Sequence, residues 1–369
     1  MNKVNKKKII AIALVILLLA STVVVYVYLD NFSQTETTLV KDDSPEEDEV
    51  LDPIAEKVVD MMQQLDEATI RGYIEKITSF GHHSTARRFP YKLSNRPIIG
   101  RFFDLPIEKV AKYLYNEFES MGLEVGYQHW EQEPTINNFL NMPNYYRGWI
   151  VVDNVVATLP GTDPSSDEMY VLVAHYDTMG RLVAGGPCLG ANDDTSGVAL
   201  LLTAAKIMSQ YSFNHTVVFL AVSGEEQGLW GSKAYAGAAA KNNENIAAAI
   251  SIDMIGTRAP GIRNTEVMVA GEIDGVSNWI VNFTINVNQR YPEFLNFTII
   301  KDDPFNHGSD HKPFLNSGFD AVLVEEAAND YDWHRTSDII KNMDTCYTTE
   351  VSRLVLATVA EMAWDVEYE

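Results

Sequence analysis

Cysteine and basic residues are both scarce in this 369-residue sequence, and each shortage excludes a class of protein. The two cysteines, Cys188 and Cys346, are too few for a disulfide framework, although the sequence leaves open whether they pair with each other. The 28 lysines and arginines are outnumbered by 51 acidic residues, which gives a net charge of −23. A nucleic-acid partner is not expected, because neutralising phosphates requires clustered basic side chains. The H-E-x-x-H, G-x-S-x-G and phosphate-loop patterns are also missing, so none of these common sites is expected.

One long apolar run lies near the amino terminus. Residues 9–29 are apolar apart from Ser21 and Thr22, and their length is close to that of a membrane-spanning helix. Residues 1–8 carry four lysines and Asp30 follows the run, so the positive-inside rule places the rest of the chain outside the cytoplasm. A cleaved signal peptide is the alternative, but its apolar region is usually shorter and no clear A-x-A site follows. We therefore expect a basic cytoplasmic tail, an uncleaved transmembrane anchor and an extracytoplasmic domain.

The remaining chain divides into a stalk and one folded domain. Residues 30–52 are polar and acidic, which indicates a solvated, disordered stalk. Residues 53–369 alternate between helical and strand patterns, which favours a single α/β domain with a central mixed, mostly parallel sheet and helices on both faces. Residues 81–147 are a candidate cover for its site. Within them, His82 and His83 lie in a basic, irregular segment and are expected at the surface.

Residues that can bind metal stand at the end of a predicted apolar strand. His175 and Asp177 are two positions apart, so on an extended chain they share a face, and the carboxylate can orient the imidazole. Asp193 and Asp194 follow at a predicted helix start, where acids also serve as ordinary caps. Neither pair is specific by itself.

More acids and a second histidine lie in, or shortly after, three other predicted strands. Glu225 and Glu226 come after one strand, and His334 comes after another. Asp253 is predicted inside the apolar strand Ala247–Ile255, where a carboxylate is costly unless it is paired or metal-bound. Because open α/β sheets build sites at the carboxyl ends of their strands, we expect these side chains to meet. The mixture suits two zinc ions, each with one histidine, one carboxylate and a shared carboxylate. The five candidate ligands are His175, Asp193, Glu226, Asp253 and His334.

Seven short motifs together carry a family resemblance. Each is weak alone, but their order and spacing make a strong signal. They are Asn154–Gly161, Ala174–Asp177, Gly190–Gly197, Gly224–Ser232, Asp253–Gly256, Ser309–His311 and His334–Asp338. From about Ile77 to the end, the chain resembles the co-catalytic di-zinc aminopeptidases of the secreted bacterial leucyl aminopeptidase type, whose zinc exopeptidase fold is shared with glutaminyl cyclases.

The resemblance implies a role for each candidate ligand. His175 and Asp253 would bind one zinc ion, and Glu226 and His334 would bind the other. Asp193, the first of the two adjacent aspartates, would bridge both ions. Glu225 would be the general base for a zinc-activated water, and Asp177 would orient His175.

Residues at the substrate pocket depart from the family pattern in one place. Many of these peptidases have tyrosine before the late histidine, whereas this chain has Trp333, with Tyr331 nearby as a substitute donor. The loop containing Asp310 and His311 borders the substrate pocket in the family. Tryptophan at position 333 resembles the glutaminyl cyclases, which hold one zinc and catalyse acyl transfer.

The sequence therefore predicts a membrane-anchored, extracytoplasmic di-zinc aminopeptidase that acts on peptides with a free amino terminus. A glutaminyl-cyclase-like zinc acyltransferase is the first alternative, and a non-catalytic binding module on the same fold is the second. Cleavage from the carboxyl end, side-chain specificity and oligomeric state are left open.

Overall fold

The computed structural model of the chain describes most of the predicted α/β domain. The described ranges are 52–84, 105–132, 150–179, 188–258, 265–270, 277–302, 308–327, 330 and 332–368. The predicted tail, the transmembrane segment 9–29, all but the last residue of the stalk and much of the candidate cover lie outside these ranges. Within them, no helix is both long enough and apolar enough to span a bilayer.

Eight α-helices form within the described ranges, most of them where the apolar periodicity predicts them. They are α1 Pro53–Gln64, α2 Glu67–Thr78, α3 Pro106–Ser120, α4 Thr195–Met208, α5 Trp230–Asn242, α6 Asn278–Arg290, α7 His311–Asn316 and α8 Thr345–Ala363. Aspartates cap several of them; the Asp52 carboxylate, for example, accepts the main-chain N–H groups of Ile54 and Ala55 at 2.8 and 2.9 Å.

The strands form one eight-stranded mixed sheet. They are β1 Glu124–Gln132, β2 Ile150–Leu159, β3 Glu168–His175, β4 Thr216–Val222, β5 Asn245–Ile252, β6 Thr265–Ala270, β7 Phe297–Asp302 and β8 Ala321–Glu326. Their order across the sheet is β1-β2-β4-β3-β5-β8-β6-β7. The central strands β4, β3, β5 and β8 run parallel, and antiparallel pairs flank them. The predicted mixed sheet is thus confirmed.

Alternate residues of the central strands pack into two separate cores. On β3, Leu172 and Ala174 join the larger core, which α4 and α8 cover. Val171 and Val173 join the smaller core on the opposite face, together with side chains of α5 and α7. Because side chains alternate along a strand, the near-continuous apolar run is explained by burial on both faces. The prediction of helices on both faces is confirmed.

Two local expectations were wrong. The strand that was predicted to contain Asp253 ends at Ile252, so the carboxylate stands just beyond the strand. The segment around His311 was expected to be a loop but begins the six-residue helix α7. A helix of that length is too short to produce a recognisable apolar period.

Candidate metal centre

The candidate ligands lie at the carboxyl edge of the central parallel strands. His175 is the last residue of β3, and Asp253 directly follows β5. Glu226 lies in the turn between β4 and α5, and Asp193 lies just before α4. His334 comes from the loop that follows β8. Since neighbouring parallel strands end at the same edge, residues far apart in sequence are brought to one place.

Asp193 lies between two imidazoles. Its Oδ1 is 3.2 Å from His175 Nε2, and its Oδ2 is 3.2 Å from His334 Nε2. On the outer sides, Asp253 Oδ1 is 3.6 Å from His175 Nε2, and Glu226 Oε2 is 2.8 Å from His334 Nε2. The five residues form two groups that share one carboxylate, an arrangement that can hold two cations.

The chemistry of these atoms fits zinc. His175 and Asp193 are almost fully buried, and the Nε2 of His175 and the Oδ2 of Asp193 have no hydrogen-bond partner of good geometry. The Oδ1 of Asp253 and the Oε1 of Glu226 are likewise unpartnered. Burying such a polar atom without a partner costs about 1–3 kcal/mol, a cost that coordination of a cation would offset. Imidazole nitrogens and carboxylate oxygens are ligands that Zn²⁺ accepts.

Asp194 also lies within ligand distance but is engaged elsewhere. A ligand atom of Asp194 lies within 4.8 Å of donors on His175 and Asp253. However, its oxygens accept the main-chain N–H groups of His175, Gly197 and Met254 at 3.2, 3.0 and 3.2 Å. The peptide bond between Asp193 and Asp194 is cis. Asp194 therefore caps α4 and ties the ends of β3 and β5 together.

Burial and crowding of charge shift the protonation of the cluster. Burial raises the pKa of Glu225 well above its usual range, and the neighbouring Glu226 and Asp253 charges act in the same direction. Burial, reinforced by the Asp193 charge, raises the pKa of Glu226 to about 8. Burial alone would lower the pKa of His334, but the adjacent Asp193 and Glu226 carboxylates raise it to about 9. Cation binding would therefore displace protons from this cluster.

Asp177 connects His175 to the turn that carries Glu225. The Nδ1 of His175 lies 3.0 Å from the main-chain carbonyl of Asp177, whereas the Asp177 carboxylate is farther away, at 3.8 Å. That carboxylate accepts the main-chain N–H groups of Gly224 and Glu225 at 2.8 and 3.2 Å. One residue therefore faces the ring through its carbonyl and fixes the Glu225 backbone through its carboxylate.

The loop before α7 contributes a residue that the sequence analysis did not single out. Ser309 Oγ donates to Asp253 Oδ2 at 2.6 Å and lines the cavity. Asp310 and His311 are buried and are not among the described residues that line the cavity. Asp310 instead accepts a hydrogen bond from the Ser232 hydroxyl of α5. Ser309, rather than the two predicted residues, faces the cavity from this loop.

A cavity of about 510 Å³ opens over the cluster. Trp333 lines it, with 41% of its surface exposed, and its ring stacks on that of His334 with centroids 3.9 Å apart. Met254 and Leu323 add apolar walls. The other predicted pocket residue, Tyr331, lies outside the described residues. The cavity is large enough for a small part of a substrate and reaches the candidate ligands directly.

The prediction that His83 lies at the surface was wrong. Its side chain is only 1% exposed, and its Nδ1 lies 2.6 Å from the carbonyl oxygen of Gly81. Burial lowers the pKa of His83 to about 4. The preceding His82 lies 2.8 Å from the Cys188 carbonyl through its Nδ1. The basic composition of the segment gave no indication of this burial.

Both cysteines are free.

Comparisons with known proteins agree with this geometry. A profile described as peptidase family M28 matches residues 154–359. A probable zinc metalloprotease of Leptosphaeria maculans is 26% identical over 340 residues, covering 82% of this chain and 76% of that protein.

Solved structures share the fold. An aminopeptidase of Legionella pneumophila superposes with a TM-score of 0.65 at 19% identity, covering 85% of this chain and 75% of that one. A glutaminyl cyclase of Fimbriiglobus ruber gives a TM-score of 0.60 at 21% identity, covering 80% and 95%.

Proposed function

The chain belongs to peptidase family M28 and is a zinc-dependent metallopeptidase, and from this premise we propose that it is an aminopeptidase with two zinc ions. The arrangement around Asp193 carries the proposal. Two histidine–carboxylate pairs, His175 with Asp253 and His334 with Glu226, lie on opposite sides of that one carboxylate. A single carboxylate that faces both pairs is the ligand set expected for two ions.

Glu225 is the proposed general base. When bound, zinc supplies Lewis acidity that makes a water more acidic and polarises a carbonyl group. Glu225 lines the cavity beside the ligands, takes a proton from the attacking water and returns it to the leaving amine. Asp177 keeps the Glu225 main chain in place through the hydrogen bond at 3.2 Å.

The charge of the cavity favours an amino-terminal substrate over a carboxyl-terminal one. Six carboxylate side chains line it, of which three, Glu225, Glu325 and Asp330, are not proposed zinc ligands, and none of the described lining residues is a lysine or arginine. A substrate carboxylate would lack a cationic side chain to bind it there, whereas an α-ammonium group would be attracted. The carboxylates are Asp193, Glu225, Glu226, Asp253, Glu325 and Asp330. The proposed substrate is therefore a peptide with a free amino terminus.

Replacing Glu225 with glutamine tests the mechanism. The full chain should contain two zinc ions before and after the change, since Glu225 is not one of the proposed ligands. Loss of the base should reduce hydrolysis of aminoacyl amides and short peptides by about 10²–10⁴-fold. Glu293→Gln, at an exposed position in the turn between α6 and β7, is the matched control and should keep full activity.

Substrates with a blocked amino terminus complete the test. Wild-type enzyme should hydrolyse free peptides and spare their amino-terminally acetylated counterparts. A Glu225→Gln enzyme with wild-type activity, or preference for acetylated peptides, would contradict the proposal.

A glutaminyl-cyclase-like acyl transfer is the second candidate. Trp333, stacked on His334, favours it, because the resemblance associates tryptophan before the late histidine with the cyclases. It requires one zinc per chain and conversion of an amino-terminal glutamine into a cyclic product. Zinc analysis and incubation with a glutaminyl peptide distinguish the two activities. The two ligand groups around Asp193 support the peptidase.

We also propose that residues 9–29 anchor the peptidase domain outside the cytoplasm. The support is the length of the apolar run and the lysines that precede it. The full chain should remain with membranes during carbonate washing, and exogenous protease should cleave its domain in sealed cells. Release of the wild-type chain into the soluble fraction would contradict anchoring.

A further inference from the structure

The loop that carries His334 forms hydrogen bonds with one dipeptide, Asn192–Asp193, at both of its ends. At its far end, Asp338 Oδ1 accepts the main-chain N–H of Asn192 at 2.7 Å, and its Oδ2 accepts that of Asp193 at 3.2 Å. At its near end, Asp330 Oδ2 accepts the side-chain amide of Asn192 at 2.9 Å. Both ends of the loop are therefore attached to the dipeptide that contains Asp193.

The Asp338 carboxylate is a buried group fully engaged in this contact. It is 1% exposed, and its Oδ2 also accepts a weak hydrogen bond from Cys188 Sγ at 3.6 Å. Removing such a carboxylate leaves two buried main-chain N–H groups without partners, which native proteins rarely tolerate. The contact thus constrains the Asn192–Asp193 main chain strongly.

His334 needs such a constraint. Its φ is +58°, in the left-handed region that is unfavourable for residues other than glycine. Residues held in such conformations persist only where surrounding contacts determine them. Asp338, four residues later, supplies one of those contacts.

The other half of the centre has its own support. Asp194 accepts the main-chain N–H groups of His175 and Met254, which fixes the ends of β3 and β5. Ser309 holds the Asp253 carboxylate at 2.6 Å. Neither set of contacts includes Asp338. Loss of the Asp338 contact should therefore affect the two halves unequally.

We propose that Asp338 is a positioning residue that sets the affinity of the zinc ion held by Asp193, Glu226 and His334. The ion held by His175, Asp253 and the shared Asp193 depends on it less, because the contacts of Asp194 and Ser309 hold the His175 main chain and the Asp253 carboxylate. This inference rests on the proposed two-zinc function. The contact between the His334 loop and the Asn192–Asp193 main chain then acts in metal binding rather than in general folding.

Titration of the metal-free full chain with Co²⁺, followed by its visible absorption, tests the proposal. Wild-type protein should show two binding phases. Asp338→Ala should weaken one phase by about 10–100-fold, the usual effect of removing a group that orients a ligand, and leave the other within about twofold. Asp338→Asn keeps an acceptor for the Asn192 N–H but cannot accept from both main-chain groups, so it should restore part of the lost affinity.

Two further variants locate and control the effect. His334→Ala should abolish the phase that Asp338→Ala weakens, since it removes a ligand from the same ion. Asp66→Ala removes a helix-capping carboxylate that accepts the Thr69 N–H at 2.9 Å, far along the chain from the centre. It should lower the free energy of unfolding without altering either cobalt phase.

The outcomes separate this inference from the proposed function. If both cobalt phases of Asp338→Ala are unchanged, or are weakened equally, the proposed role of Asp338 is overturned, but the two-zinc function is not. Saturation of wild-type protein at one cobalt ion per chain would overturn the two-zinc function and with it this inference.

Discussion

Acidification should destabilise the protein through His83, which the fold holds in its neutral form. The side chain is 1% exposed, and its main-chain N–H donates to Thr178 Oγ1 at 3.3 Å, beside the end of β3. Burial lowers its pKa to about 4 from a usual value of 6.5, with the nearby His82 and His175 acting in the same direction. The unfolded chain therefore takes up a proton at a higher pH than the folded chain.

The sign and size follow from this difference. Above pH 6.5 His83 is neutral in both the folded and the unfolded chain, so the protein keeps its full stability. As the pH falls from 6.5 towards 4, only the unfolded chain is protonated, and stability is lost. One unit of pKa corresponds to about 1.4 kcal/mol, so His83 should contribute about 3 kcal/mol to the loss. That is a large fraction of the stability of an ordinary domain.

The free energy of unfolding in urea, measured on metal-free protein at pH 7.5 and at pH 4.5, tests this directly. His83→Asn keeps a side-chain donor for the Gly81 carbonyl but cannot be protonated. The variant should be less stable at both values but should lose about 2–3 kcal/mol less than wild type on acidification. His129→Gln removes an imidazole that is 72% exposed and pairs with Asp153; as the control it should stay within about 1 kcal/mol of the wild-type loss, because exposed ion pairs contribute little. Equal losses in wild type and His83→Asn would show that protonation of His83 does not cause the acid destabilisation.

Two further predictions concern backbone contacts near the centre. A Cβ on Gly231 would lie within about 2.5 Å of the Ser223 carbonyl oxygen, so Gly231→Ala should lower the free energy of unfolding by about 1–3 kcal/mol in urea. Gly237→Ala, in the same helix but with open space around it, should raise it by about 0.5–1 kcal/mol, and a loss there would contradict the packing argument. Oδ1 of Asp177 accepts both the Gly224 and the Glu225 N–H groups, and Asp177→Asn replaces this charged acceptor with a weaker, neutral amide oxygen, so kcat should fall while zinc content stays unchanged. Loss of zinc with unchanged kcat at full metal loading would show that Asp177 acts on His175 instead.

Much of the fold was readable from local patterns. The apolar run before His175 predicted β3, and the helix start predicted at Asp193 and Asp194 matches the start of α4. These patterns are readable because burial of one or both faces repeats at the period of the element itself. The resemblance to di-zinc aminopeptidases is confirmed at the level of the family.

The sequence by itself determined the element order, the metal-binding residue types and the family. The tertiary structure decided whether those residues are buried or exposed and which partners they contact. His83 is buried where the segment that follows α2 contacts the segment after β3, and no local period predicts that contact. Asp338 met Asn192 across 146 positions of sequence. Such pairings depend on which strand ends share an edge of the sheet, and hydrophobic periodicity contains no information about that choice.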